Sequence, residues 1–298
     1  MTITIPQGMA PIVSGYSQGA PGGVDRVDVA GGRGRFVTNW DRGTQQHACR
    51  LVLDKLQYSV WSAFYLYSIA KGALAFAMPL DSGLGLRPHV VNVVPGSYSV
   101  SHEGGALVFI DFTVETTSGV YALSDAQVAA EVAVNGLTPL AIPLGLSPVV
   151  SGYGHGGIPG SMRGDVAGSF GQFGQDWMGG VQDFTCTIIL TPAQMRIWTI
   201  WFYRLVRKGG LSFDMPLDSG LGLVPHLVTV LPGSYSVTRN GEISIVSFSV
   251  EAESTLYTLG RAGAESLLAI YAENGIETAA LLARLAQFAV VDSLVLDF

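Results

Sequence analysis

The feature that most restricts this chain is a stretch it spells twice. Met78 to Val100 reads MPLDSGLGLRPHVVNVVPGSYSV and Met215 to Val237 reads MPLDSGLGLVPHLVTVLPGSYSV, so nineteen of 23 positions are identical. The four exchanges, Arg87 for Val224, Val90 for Leu227, Asn92 for Thr229 and Val94 for Leu231, keep residues that a strand accepts. At a spacing of 137 the register holds back to Pro11 and Pro148: Trp40 returns as Trp177, Cys49 as Cys186, Trp61 as Trp198 and Gly72 as Gly209. Beyond the anchor, Phe112-Thr113-Val114-Glu115 returns as Phe248-Ser249-Val250-Glu251 at a spacing of 136. The lost residue belongs in a hairpin loop, where length changes are tolerated. A period this long is too large for a solenoid and implies a tandem domain duplication.

The expected organisation is an N-terminal arm at 1–10, a first domain at 11–136, a linker at 137–147, a second domain at 148–275 and a C-terminal helix and strand at 276–298. The arm alternates Thr2, Ile3, Thr4 and Ile5 before Pro6. It reads as a segment able to add to a neighbour's sheet edge, or as a frayed end. Of the 298 residues 48% are hydrophobic and only 13% charged, and mean hydropathy is +0.38. So little charge implies an outer surface covered by other subunits. A membrane span is not expected, because Arg284, Gln287 and Asp292 interrupt the longest apolar stretch well short of the ~20 residues a span needs. The start, MTITIPQGMAP, has no basic or long apolar region of a signal peptide. A net charge of -7 argues against tight phosphate binding.

Within each repeat the glycine-rich segments, Gly19 to Gly34 and Gly152 to Gly174, read as long loops and lack a GxxxxGK[ST] phosphate cradle. Two strands should follow, Arg35 to Trp40 with Cys49 to Leu53, and Phe170 to Trp177 with Phe184 to Leu190. A helix comes next. Thr191-Pro192-Ala193-Gln194 supplies a capping hydroxyl, a first-turn proline and a glutamine three residues on, with Asp54 and Gln57 in the same places. Trp198, Trp201, Phe202 and Leu205, like Trp61, Phe64 and Tyr65, share one helical face and predict core packing across a sheet. Gly72 and Gly209 should end these helices. Strands are expected at Ala73 to Leu80, Pro88 to Val94, Ser97 to Ser101 and Leu107 to Glu115, then helical segments at Leu123 to Val134 and Ala264 to Ala272. The terminal extension should hold a helix, Glu277 to Phe288, and a strand from Val290 to Phe298. The fold class is mainly β with flanking helices (α+β).

Asp81, Ser82 and His89, repeated as Asp218, Ser219 and His226, carry hydrolase residue types. They lie within nine residues of one loop and strand start and lack a GxSxG elbow. The aspartate is expected to receive turn amides instead, and no catalytic residue is assigned. His47, His89, His102, His155 and His226 lack metal-ligand spacing. Neither metal nor cofactor is expected, and Cys49 and Cys186 should be buried, unpaired thiols.

A tryptophan-bearing strand, a capped aromatic helix ending in Lys71-Gly72 or Lys208-Gly209, and a strand reading Phe-x-Met-Pro-Leu-Asp-Ser-Gly together resemble the tail tube proteins of long-tailed bacteriophages, with their distal tail and minor tail relatives. The resemblance covers Trp40 to Glu115 and Trp177 to Glu251. It implies two tandem β-sandwich domains, each with a flanking helix, whose strands join neighbours in a ring around a channel. Most such rings hold six tube domains, so two per chain imply a homotrimeric, pseudo-sixfold ring that stacks into a DNA conduit. The resemblance also implies a structural virion protein assembled in the host bacterial cytoplasm and no enzymatic activity. Its partners would be further rings, the tape measure, the tail terminator and the baseplate, and DNA would pass without specific binding. A distal tail protein forming one ring at the tip is the alternative within the family. A carbohydrate-binding β-module using Tyr58, Tyr65, Tyr67 or Tyr98 is the alternative from another class.

Overall fold

The structure is a computed structural model and describes residues 3–12, 16–29, 33–103, 107–143, 145–149, 153–157, 160–165, 170–175, 180–220, 222–278 and 280–281. It is mainly β, with helices and one large mixed sheet. The first repeat supplies β1 (Ile3–Thr4), β2 (Ser17–Gln18), β3 (Val24–Val27), β4 (Arg35–Thr38) and β5 (Thr44–Leu53). Helix α1 (Lys55–Ala63), strands β6 (Phe76–Asp81), β7 (Leu86–Val93), β8 (Ser99–Glu103) and β9 (Leu107–Thr117), and helix α2 (Asp125–Asn135) follow. From the second come β10 (Gly154–His155), β11 (Ser161–Gly164), β12 (Gln172–Gln175), β13 (Val181–Leu190) and α3 (Pro192–Ile200). Then β14 (Phe213–Asp218), β15 (Leu223–Val230), β16 (Ser236–Asn240), β17 (Ile243–Glu253) and α4 (Gly260–Asn274) complete the described elements.

Each repeat is built on one long antiparallel pair. Strand β5 lies on β9 from Thr44 opposite Thr117 to Leu53 opposite Val108, and β13 lies on β17 in the same way. The alternation read from Leu107 to Glu115 holds: Val108, Ile110, Phe112 and Val114 are buried beneath Trp61 of α1. Trp61 Nε1 donates to the Tyr98 hydroxyl (3.3 Å), as Trp198 Nε1 does to Tyr235 (3.3 Å). Helices of nine residues fall short of the ~12–15 that stand alone in water. Burying an aromatic side chain contributes roughly 2–3 kcal/mol, so packing rather than length holds them. Both expected capping boxes are present, at Asp54 with Gln57 and Thr191 with Gln194.

Four expectations need correction. First, neither aromatic helix runs unbroken to its glycine. A π turn takes over at Phe64–Ser68 and at Trp201–Leu205, with Ile69 N donating to Phe64 O and Val206 N to Trp201 O, both at 3.1 Å. The wider turn brings residues five apart onto one side, so Phe64 and Ile69 are buried together. Second, each glycine-rich segment contains an unexpected strand, β3 or β11, which forms a hairpin with the expected strand after it, β4 or β12. Four-residue strands held by main-chain bonds, with few buried side chains, leave too short an alternation to read against dense glycine. Third, β4 therefore pairs with β3, and β5 pairs with β9 and β2.

The fourth correction concerns the arm and the linker. Strand β1 runs parallel to β6 of its own repeat, Thr4 opposite Ala77, and Ala141 bridges Asp214 in parallel. Those positions are again 137 apart, so the repeat begins before Pro11: Ile5-Pro6 matches Ile142-Pro143, and Met9 and Leu146 are both buried. The segment read as a linker is thus the second repeat's arm, fixed by Ile142 N to Asp214 O (3.0 Å) and Asp214 N to Leu140 O (2.7 Å).

The chain forms two compact units, Met1–Asp218 with Gly222–Ser254, and Ser219–Leu221 with Thr255–Phe298. The first holds the strands and α1 to α3. In the second, the Ser219 hydroxyl accepts from Thr255 N (3.0 Å), and α4 has no buried residue. Beyond Gly275–Glu277, a 3-10 turn, most of the expected helix to Phe288 and all of the expected strand from Val290 lie outside the described residues. Among the described residues no helix is long and apolar enough to cross a membrane.

Candidate assembly surface

Of the serine, histidine and aspartate drawn from the sequence, the first repeat brings the serine and histidine together and turns the aspartate to its own loop. Asp81 accepts from the amides of Gly83 (2.7 Å) and Gly85 (3.0 Å), as a turn aspartate should. Both glycines have positive φ, +96° and +82°. His89 Nε2 is 3.2 Å from Ser82 Oγ, while its Nδ1 faces the Arg87 carbonyl (2.8 Å) rather than Asp81. Ser82 Oγ also accepts from Gly119 N (2.9 Å), tying the loop to the end of β9. A triad needs the acid to orient the base, and here the acid serves a turn. Cys49 and Cys186 are buried and unpaired, and burial pushes both thiols up to about 12. His47 is fully buried, its imidazole lowered to about 4 by burial and by His89. The Tyr16 hydroxyl donates to Asp81 O (2.5 Å) and lies 2.8 Å from His47 Nδ1.

The most elaborate polar chemistry lies where the first repeat meets the second. Strand β2 is the hinge of that contact. It pairs with β5 on one side (Ser17 opposite Ala48) and with β16 on the other (Val237 opposite Gln18, Thr238 opposite Ser17), joining both repeats in one sheet. Gln18 Nε2 donates to the Tyr203 hydroxyl (3.1 Å). The β3–β4 hairpin reaches across: Arg26 Nε donates to Glu251 Oε2 (2.7 Å), Gly34 N donates to Glu251 Oε1 (2.6 Å), and Arg33 reaches Thr229. Lys208 Nζ donates to the carbonyls of Gly22 and Trp40, both at 2.7 Å. Burial lowers that ammonium's pKa, with Asp41 opposing the shift.

The loop after β6 also crosses. Asp81 pairs with Arg239 (2.7 Å) and Leu84 enters the second repeat's core. Gly83 approaches α3 so closely that a Cβ would lie 1.9 Å from Thr199 Oγ1. Helix α2 lies along α3, with Arg196 Nε donating to Glu131 (3.0 Å) and Arg204 paired with Asp125. Trp201 Nε1 donates to Thr138 O (2.8 Å).

The first repeat carries much of the same acceptor surface and leaves it exposed. Glu251 has 0% side-chain exposure, whereas its counterpart Glu115 is exposed. Lys208 and Tyr203 are buried, while Lys71 and Leu66 at the matching positions are exposed. The donor side is likewise repeated: the β11–β12 hairpin matches β3–β4 yet is exposed at every residue. Sequence reading missed these residues. The signal was available, since Arg26, Glu251 and Lys208 recur as Arg163, Glu115 and Lys71. No protein-family model matches the chain, and no curated protein matches it.

Proposed function

We propose that the protein is a structural component of a bacteriophage tail, the major tail tube protein. Its two repeats would act as fused tube-like β-sandwich domains that arose by duplication. Three chains would form a pseudo-sixfold ring, and rings would stack around a channel that conducts DNA without holding it. The protein would belong to the virion, assemble in the host bacterial cytoplasm, adjoin the tape measure, terminator and baseplate proteins, and perform no reaction.

One observation carries this reading. The chain makes one repeat-to-repeat contact internally and carries both halves of that contact again, exposed, at opposite ends of the series. A head-to-tail contact of that kind generates closed rings or open filaments. The low charge and the capped aromatic helix before Phe-x-Met-Pro-Leu-Asp-Ser-Gly support it further. The carbohydrate reading has less support, because Tyr65 and Tyr98 stack on one another (4.4 Å) beside Trp61 and only Tyr67 of the four candidates is exposed.

Electron microscopy and sedimentation of the purified full-length protein test the proposal. Rings or tubes with a central opening are expected, and a persistent monomer with glycan affinity would reject it. A single ring that does not stack would favour the distal tail alternative.

A further inference from the structure

Inside the chain, Glu251 is gripped by the Arg26 guanidinium and by the amide of Gly34. The same grip is built again in the second repeat. Gly171 matches Gly34 and Arg163 matches Arg26 at a spacing of 137. A Cβ at Gly34 would lie 2.6 Å from Arg26 Nε, and one at Gly171 would lie 2.5 Å from Arg163 Nε. In both hairpins the arginine side chain therefore lies against the glycine. Arg163 keeps a salt bridge to Asp165 (3.0 Å), as Arg26 does to Asp28, and its side chain is 58% exposed.

The strand edges tell the same story. Strand β16 has β17 on one side and β2 on the other, whereas its counterpart β8 pairs with β9 alone among the described strands. Strand β10, the counterpart of β2, likewise pairs with β13 alone among the described strands. An open edge offers a row of unpaired amides and carbonyls that another chain can complete. A basic grip and an acidic acceptor exposed on one molecule, with two open edges in matching positions, complement each other between molecules.

We propose that Arg163 and the Gly171 amide of one molecule hold Glu115 of a second copy of this chain. In the same contact β10 of the first pairs antiparallel with β8 of the second, Gly154 opposite Ser101 and His155 opposite Val100. That register is the β2–β16 register carried over by the repeat spacing. Lys71 and Leu66 of the second molecule become buried, as Lys208 and Tyr203 are within the chain. The inference rests on the self-association in the proposed function and not on the tail itself.

Charge exchange in the full-length protein tests it. In sedimentation, Arg163→Glu and Glu115→Arg alone should each raise the concentration needed for assembly by about a hundredfold. The double variant should recover most of that loss. Melts of the dilute single variants should match the wild type, because both side chains are exposed within one chain. Single variants that assemble normally, or a double variant no better than either single, would overturn the contact. The register is read by combining His155→Cys with Val100→Cys: oxidation should yield covalent multiples of the chain on a non-reducing gel, and their absence would overturn the pairing. Charge rescue in an assembly without a central opening would reject the tail reading and support this contact. Tubes indifferent to both charges would do the reverse.

Discussion

Arg26 and Arg163 hold matching places in the two repeated hairpins, yet they should behave oppositely on substitution. Removing Arg26 strands Glu251 in a site with no solvent exposure, and breaking such a pair costs about 3–5 kcal/mol. Arg163→Ala removes an exposed side chain from the single molecule and should cost less than about 0.5 kcal/mol. Urea midpoints of dilute Arg26→Ala and Arg163→Ala protein check the contrast. His47 gives a pH dependence whose sign follows from its environment. Its folded pKa is about 4 against an ordinary value near 6.5, so between those values the unfolded chain binds the extra proton. Stability from this group is full above pH 6.5 and falls as the pH drops toward 4, by a total of order 3 kcal/mol. Position 184, its counterpart, is phenylalanine. His47→Phe should flatten that limb of the melting temperature against pH. The thiols of Cys49 and Cys186, raised to about 12 by burial, should resist maleimide at pH 8 in native protein and react in denaturant.

At the scale of elements, the strongest local patterns were readable. The alternation of β9 and both capping boxes are carried by residues close in sequence, and they appear where the letters put them. The π turns were not readable, since an aromatic row suits a continuous α-helix equally well. Only the demands of the core below decide where Phe64 and Ile69 must point. The glycines that follow those turns show the same dependence. Gly209 has φ +85°, and a Cβ there would lie 2.6 Å from Val230 Cβ, while Gly233 has φ +79° with nothing within 4 Å. Gly233→Ala should cost the left-handed strain alone, about 1–2 kcal/mol. Gly209→Ala should cost clearly more, because strand β15 must also move. Thermal midpoints of the two variants separate strain from collision.

For the whole molecule, the first compact unit contains both repeats, and the second repeat depends on the first for its burial. Glu251, Lys208 and Tyr203 are covered by residues before position 137. A fragment spanning 137–298 should therefore unfold without a cooperative transition by itself, and should recover one when mixed with a fragment spanning 1–136. Circular dichroism melts of each fragment and of the mixture measure this. Composition anticipated such dependence: with only 13% charged residues, a chain has too little polar surface to face water on every side.

The sequence alone determined the repeat, the strand and helix periods, the capped aromatic helices and the buried cysteines. These follow from patterns within a few residues or from identity across 137. The tertiary structure decided which copy of each repeated residue is buried and which is exposed. It also decided that a two-residue strand joins the repeats and that the supposed linker is a second arm. The reason is physical. Glu115 and Glu251 are the same letter in nearly the same local sequence, and what separates them is a hairpin more than 200 residues away from Glu251 along the chain, a neighbour that no local pattern encodes.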